Sequence, residues 1–249
     1  MAKRAGKLGL KESVKVYIVG GVVRDLMLGR DIQDLDLMVE GDGIFFARKL
    51  AKEIGVKKIV PFEKFGTALI PNKLFQIEIA SSRSETYSSE SRSPSKVKFT
   101  SLEEDLKRRD FTINAMAMDT HPERFGEIHD PFGGQNHLNE GLLKTPLDPM
   151  KTFSDDPLRM MRAAYFASKL NFKLDSECRA AITNQSDRIS IVSWERIREE
   201  LIKTLSTSKP SVGLVIMQKT GLLKTVFPEI DIMYDMNQSS EWHHKDIFA

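Results

Sequence analysis

The residues best suited to chemistry lie in one stretch: Gly20-Gly21-Val22-Val23-Arg24-Asp25, then Gly29-Arg30, then Asp34-Leu35-Asp36. Residues two apart in a strand project from one face, so Asp34 and Asp36 would stand side by side with Leu35 turned into the core. Two adjacent carboxylates repel, and a cation between them relieves the repulsion. Hard oxygen ligands favour Mg²⁺, which keeps several waters and shares substrate phosphates. Paired glycines let the backbone approach an anion, with N–H groups at the start of the following helix facing it. Arg24 and Arg30 add charge-assisted contacts of the kind a triphosphate attracts. Metal ligands, an anion cradle and a cationic clamp are together the parts of a phosphoryl- or nucleotidyl-transfer site. An isolated Asp-x-Asp is more often a solvated strand edge, and it is the neighbouring glycines and arginines that reverse that balance.

These residues need a scaffold, and the sequence supplies one. Val14–Val19 reads as a buried strand, followed by a short amphipathic helix over Val22–Leu28 with Gly29 as its stop. Leu35–Val39 is a second strand and Ile44–Ile54 a helix by its apolar spacing. Val56–Val60, Ala68–Pro71 and Phe75–Ala80 are further strand candidates. Ser81–Ser95 is crowded with Ser, Arg and Glu and has no apolar period, which predicts a mobile surface loop. Ser101 with Glu104 forms a capping box, Phe111–Met118 returns to the core, and Asp130–Gly134 is a turn. From about Pro146 the pattern is helical: Pro157–Leu170, Asp175–Asn184, Trp194–Leu205 and Ser211–Lys219, with Gly221 and Pro228 as breakers. The expectation is an α+β chain, mixed in its first half and all-α in its second.

Composition narrows the function class. With 249 residues, 41% of them hydrophobic, the chain can bury a real core and is too apolar to be disordered. The net charge of +2 excludes a globally basic nucleic-acid binder, so RNA contacts must come from local patches. No apolar run is long enough to span a membrane, and Met1–Leu10 is basic without the apolar stretch of a secretory leader. A single cysteine, Cys178, excludes a disulfide framework and a cysteine-rich zinc site, points to the cytosol, and is expected to be buried and inert. Met116, Met118, Met160 and Met161 occupy core-like positions.

The stretch from Gly20 to Asp36 resembles the head signature of class II tRNA nucleotidyltransferases and bacterial poly(A) polymerases, within the polymerase-β-like superfamily. Three further segments agree, in the family's order. Arg108-Arg109-Asp110-Phe111-Thr112-Ile113-Asn114-Ala115 is similar to the motif that closes on sugar and phosphates. Asp130-Pro131-Phe132-Gly133-Gly134 is similar to the hinge-side motif, and Asp155-Asp156-Pro157-Leu158-Arg159-Met160-Met161-Arg162-Ala163 to the neck motif that selects the base. The resemblance covers about residues 14–210. It implies a polymerase-β-like head with a small mixed or antiparallel sheet over residues 1–145, an all-α neck over 146–215, and the incomplete start of a helical body or HD-type domain over 216–249. It also implies catalytic Asp34, Asp36 and Glu78, the aspartates holding two Mg²⁺ ions, and a nucleotide site made by Gly20, Gly21, Arg24, Arg109, Asp110, Asn114, Asp156, Arg159 and Arg162. Glu78 reads equally as an exposed strand residue. The polar segment Ser81–Ser95 falls where the family carries a flexible element used in the switch to adenine, and equally reads as a plain connection.

The neck motif has its own logic. Asp156 and Arg159 are three apart, so on one helix they share a face. A carboxylate accepts from an exocyclic amino group and a guanidinium donates to a ring nitrogen. Cytosine and adenine present that pair on their pairing edge, whereas uracil and guanine present the reverse. Outside the motif, the same pair would be an ordinary surface ion pair. Two positions depart from the family: Asp155 stands where Glu is usual, and Tyr165 where a second Arg is common. His243-His244-Lys245-Asp246 resembles the entry to an HD domain, but its partners are absent and no metal role is expected.

The expected function is addition of C, A or both to the 3′ end of tRNA from CTP and ATP, in the cytoplasm, with no membrane partner. One rival is a bacterial poly(A) polymerase, against which Lys64-Phe65-Gly66-Thr67 matches the tRNA-enzyme pattern. The other is an RNA- or nucleotide-binding fragment without full activity, motivated by the abrupt C-terminus.

Overall fold

The computed structural model describes residues 1–32, 34–72, 76–88 and 91–234, with 83–88 and 91–99 as main chain. The histidines at 243 and 244 lie outside the described residues. The chain divides into two compact units, the first ending at Leu138 and the second beginning at Asn139.

The first unit opens with α1 (Ala2–Lys11), β1 (Val16–Val19), α2 (Gly21–Met27), β2 (Asp34–Val39) and α3 (Gly43–Glu53). It continues through β3 (Val60–Phe62), β4 (Thr67–Ile70), β5 (Gln76–Ser81), β6 (Arg83–Ser88), β7 (Ser91–Phe99) and α4 (Leu102–Lys107), and closes with β8 (Ala117–Asp119), β9 (Ile128–His129) and most of α5 (Gly134–Glu140), whose last two residues fall past the division. Seven strands form one mixed sheet in the order β3-β4-β5-β2-β1-β8-β9, in which only β2 and β5 run parallel. All four residues of β1 are buried, as a central strand requires. Alternation along β2 turns Leu35, Leu37 and Val39 to one face and Asp34, Asp36 and Met38 to the other. Met38 packs with Tyr17, Val19, Leu102 and Leu106, so α4 covers the Met38 end of that face and leaves Asp34 exposed. Ser101 caps α4 by accepting from the Glu104 amide at 3.4 Å.

Three readings of this unit need correction. The strand placed over Val56–Val60 lies instead at Val60–Phe62, pairing with β4 through Pro61 opposite Ala68. It is the sheet's edge, where proline's missing N–H costs no ladder bond. The loop placed over Ser81–Ser95 is largely the antiparallel ribbon β6–β7, with Arg83 opposite Phe99. Its sequence is mostly Ser, Arg, Glu and Thr, so no apolar period announces it. Helix α1 was not anticipated, because Gly6 and Gly9 lower its helix propensity. Gly6 is what seats it: a Cβ there would lie 1.7 Å from the Thr120 carbonyl oxygen.

In the second unit the short parallel pair β10 (Leu142–Leu143) and β11 (Lys173–Leu174) interrupts what the sequence presents as purely helical. The helices are α6 (Pro149–Asp155), α7 (Leu158–Leu170), α8 (Ser176–Gln185), α9 (Trp194–Leu205), α10 (Pro210–Lys219), α11 (Leu222–Val226) and α12 (Pro228–Asp231). Pro228 falls at the break between α11 and α12, as expected of it, and starts α12. Helix α7 is the hub, burying Met160, Met161, Ala163, Ala164, Phe166 and Ala167. Cys178 on α8 is fully buried beside Thr145, and burial pushes its thiol up to about 11. The folded protein should therefore resist a thiol reagent at pH 8 and react with one equivalent when unfolded; rapid labelling of the folded chain would contradict this placement. Among the described residues no helix is long and apolar enough to cross a membrane.

Candidate nucleotidyl-transfer site

Strand β2 presents Asp34 and Asp36 on one face, as its period requires. The parallel pairing with β5 sets Glu78 directly opposite Asp36, on that same face. Asp34 and Glu78 are exposed and Asp36 is half-buried. Burial and the neighbouring Glu78 carboxylate push Asp36 up to about 6, Arg109 opposes them, and Asp34 adds to the rise. A carboxyl so strained by like charge is a place where a cation lowers the energy. The donors are all oxygens. Among the described residues no three acidic, histidine or cysteine side chains form a closed ligand set. An open, all-oxygen face suits Mg²⁺, which fills its remaining positions with waters and substrate phosphates.

Beside the acids lies a basic wall. Gly20, at the turn from β1 into α2, has φ 72°, a conformation that favours glycine. A Cβ there would sit 2.7 Å from Nη1 of Arg109, so the missing side chain also makes room for that guanidinium. Arg109 is held by Asp105, donating from Nε at 3.2 Å and Nη2 at 3.0 Å, and Nη1 reaches the Asn114 carbonyl at 3.5 Å. Arg108 donates to the other Asp105 oxygen at 2.5 Å. Asp105 is 1% exposed, and although burial raises its pKa, the two guanidiniums more than compensate and hold it below the usual carboxylate range.

Arg24 is buried, its guanidinium donating to both carboxylate oxygens of Asp25 at 2.9 and 2.8 Å and to Asn114 Oδ1 at 2.5 Å. Asn114 in turn donates to Asp110 at 3.1 Å, and Asp110 accepts the Phe111 amide at 2.8 Å. Arg24, Asp110 and Asn114 thus form a buried polar chain behind the glycine turn, while Arg109 is more accessible than Arg24, with 23% of its side chain exposed against 4%. Asp130 accepts from the Gly134 and Gln135 amides at 2.6 and 2.9 Å and so starts α5, which gives the Asp130–Gly134 turn a structural task.

In the second unit, Asp156 does not share a helix with Arg159. It lies between α6 and α7 in extended conformation, and its carboxylate accepts the Leu158 amide at 3.2 Å. The reason is α6, which ends at Asp155 and which the sequence reading passed over. Arg159, on the first turn of α7, donates to the Thr152 carbonyl at 3.3 Å. Arg162 stands 5.1 Å over the Phe166 ring and 4.0 Å from Glu200, a 3% exposed carboxylate that also takes Lys203 at 2.8 Å. Where the family often has a second arginine, Lys169 one turn beyond Tyr165 places its ammonium 5.6 Å over that ring. Asp105 and Glu200 were both missed from sequence. Asp105 has the look of a solvated acid in a helix's first turn, and its one available signal is the Arg108-Arg109 pair three and four residues on.

Residues 16–144 match the family described as the poly(A) polymerase head domain, and residues 171–233 the one described as a probable RNA- and SrmB-binding site of polymerase A. The A-adding tRNA nucleotidyltransferase of Aquifex aeolicus is 46% identical over 161 residues, covering 65% of this chain and 19% of the relative. The CCA-adding enzyme of Geobacillus thermodenitrificans is 36% identical over 215 residues, covering 85% and 50%. A crystal structure of a tRNA nucleotidyltransferase complexed with a primer tRNA and an incoming ATP analog is similar with a TM-score of 0.79 at 33% identity, covering 90% of this chain and 62% of that one. The chain spans from about a fifth to half of the length of the curated relatives it matches.

Proposed function

The chain belongs to the poly(A) polymerase head-domain family, and from that premise we propose that it transfers C, A or both from CTP and ATP to the 3′ end of tRNA without a template. The observation that carries the reading is the acidic face: Asp34 and Asp36 side by side, Glu78 in register with Asp36, and Arg109 beside them over Gly20. The 3′-hydroxyl oxygen bonds to the α-phosphorus, the bond from that phosphorus to the bridging oxygen breaks, and pyrophosphate leaves while the hydroxyl proton passes to solvent. Asp34 and Asp36, with Glu78, would hold two Mg²⁺ ions, which when bound lower the hydroxyl pKa and neutralise the departing phosphates. Arg109 supplies positive charge beside that face. Arg24, Asp110 and Asn114 keep the glycine turn and Arg109 in place from behind. Asp156 and Arg159, at the start of α7, offer an acceptor and donors to the amino group and ring nitrogen that cytosine and adenine share; Arg162, braced by Glu200, adds charge. A cytoplasmic location would fit a tRNA substrate.

The test is extension of tRNA lacking its 3′-terminal nucleotides, with CTP and ATP supplied separately and together. Addition of one to three nucleotides and then arrest is the expected result. Long A tails on unrelated RNA would support the poly(A) polymerase reading instead, and nucleotide binding without transfer would reduce the chain to a binding fragment.

A further inference from the structure

We propose that the outward face of α1 binds the phosphodiester backbone of RNA, a role that rests on the reading above only in taking RNA as the substrate. Four cations lie on this helix, Lys3, Arg4, Lys7 and Lys11, and all four are exposed. At about 100° per residue they fall within roughly a quarter-turn of the helix surface. The buried Ala5, Gly6, Leu8 and Gly9 occupy the opposite side. The helix carries no acid. Glu12, just past its end, is committed to Lys49, and Lys15 beyond it pairs with Glu40 at 3.2 Å. Among the described residues none of the four has an ion-pair partner, although Lys3 lies 5.1 Å over the Phe125 ring. Lys3 with Lys7, and Lys7 with Lys11, are like charges one turn apart, an arrangement that weakens an isolated helix and is relieved by a polyanion.

Geometry selects the occupant. From Lys3 to Lys11 the stripe runs about 12 Å, which on one nucleic-acid strand corresponds to roughly three phosphates. Insertion of a helix into a lipid interface requires an apolar face turned outward, whereas Ala5 and Leu8 of α1 are buried and Leu10 is its one large apolar side chain left exposed. Gly6 fixes the helix by its contact with Thr120, at the far end of β8 from Ala117 and hence at the Val16 end of β1, whereas the Gly20 turn leaves the other end. The stripe therefore stands apart from the acidic face and would grip RNA away from its reacting end. It also precedes residue 16, where the match to the head-domain family begins.

The test compares the wild-type chain with a quadruple variant, Lys3→Gln, Arg4→Gln, Lys7→Gln and Lys11→Gln, in which glutamine keeps the helix propensity. Binding of fluorescent tRNA lacking its 3′ terminus is measured across salt concentrations, with transfer kinetics alongside. The slope of log affinity against log salt should shrink by about 2 to 3, with affinity at 0.1 M salt falling roughly 10-fold or more. KM for RNA should rise likewise, with kcat and KM for CTP unchanged. A second variant with arginine at the three lysine positions should bind as wild type does. An unchanged slope in the glutamine variant would overturn the proposal, as would wild-type binding to phosphatidylserine vesicles that the variant loses while its tRNA binding stands. If the wild type binds tRNA through these four cations yet transfers nothing, the nucleotidyl-transfer reading fails and the role of α1 stands.

Discussion

Replacing Asp36 with alanine is expected to lower nucleotide transfer by at least about 10³-fold, since the contribution of a metal-held transition state is several kcal/mol, without lowering the thermal midpoint. The two halves of this expectation have one cause. Asp36 sits between Asp34 and Glu78 on a half-buried face, and burial with the Glu78 charge pushes its carboxyl up to about 6. An acid whose folded pKa exceeds its unfolded value holds its proton more tightly when folded. In the absence of metal, the folded state therefore loses relative stability as pH rises from about 4 to about 6, and at neutral pH the ionised group is a strain on the fold. Removing it relieves that strain while deleting a proposed cation ligand. Steady-state incorporation and a melting curve without added metal check both halves. Undiminished incorporation would remove Asp36 from the chemistry, and a collapse in melting temperature would make it structural.

Asp105 should behave in the opposite way. Its carboxylate is 1% exposed and carries both Arg108 and Arg109. Truncation to alanine removes the partner of two guanidiniums and is expected to cost about 3 kcal/mol of unfolding free energy, while freeing Arg109 from its place over Gly20 and raising KM for the nucleotide. The pH dependence has the reverse sign from that of Asp36. Because the two arginines hold the folded pKa below the unfolded one, the pair's stabilisation is fully present above about pH 4 and is lost as pH falls through the folded value. Asparagine at this position should abolish that acid limb, as measured by urea unfolding between pH 3 and 7. A destabilisation below about 0.5 kcal/mol, the range of ordinary surface substitutions, would show that the ion pairs are not what fixes the segment.

Particular residues show why part of the site was legible in the sequence. Asp34 and Asp36 were readable because a strand's period of two is local: Leu35 is buried and its neighbours are not. Gly20 was readable because a positive φ between strand and helix calls for glycine. Glu78 belongs with them only through the parallel pairing of β2 with β5, a contact between segments some forty residues apart that no local pattern encodes. Asp156 was placed on the helix of Arg159 because α6 went unrecognised, although Asp148 followed by Pro149 is a helix-start signal and the Asp148 carboxylate does accept the Met150 and Lys151 amides. The ribbon β6–β7 is hidden by its polar composition, and α1 by the low helix propensity of Gly6 and Gly9.

The central claim is that the acids of β2 and β5 hold a divalent cation together with the nucleotide. Mn²⁺, standing in for Mg²⁺, reports this directly in an electron paramagnetic resonance titration of the wild-type chain and of Asp36→Asn, with and without a non-hydrolysable ATP analogue. Protein-bound Mn²⁺ that requires the analogue is expected in the wild type, and its loss is expected in the variant. Equal Mn²⁺ binding by both proteins in the presence of the analogue would contradict it.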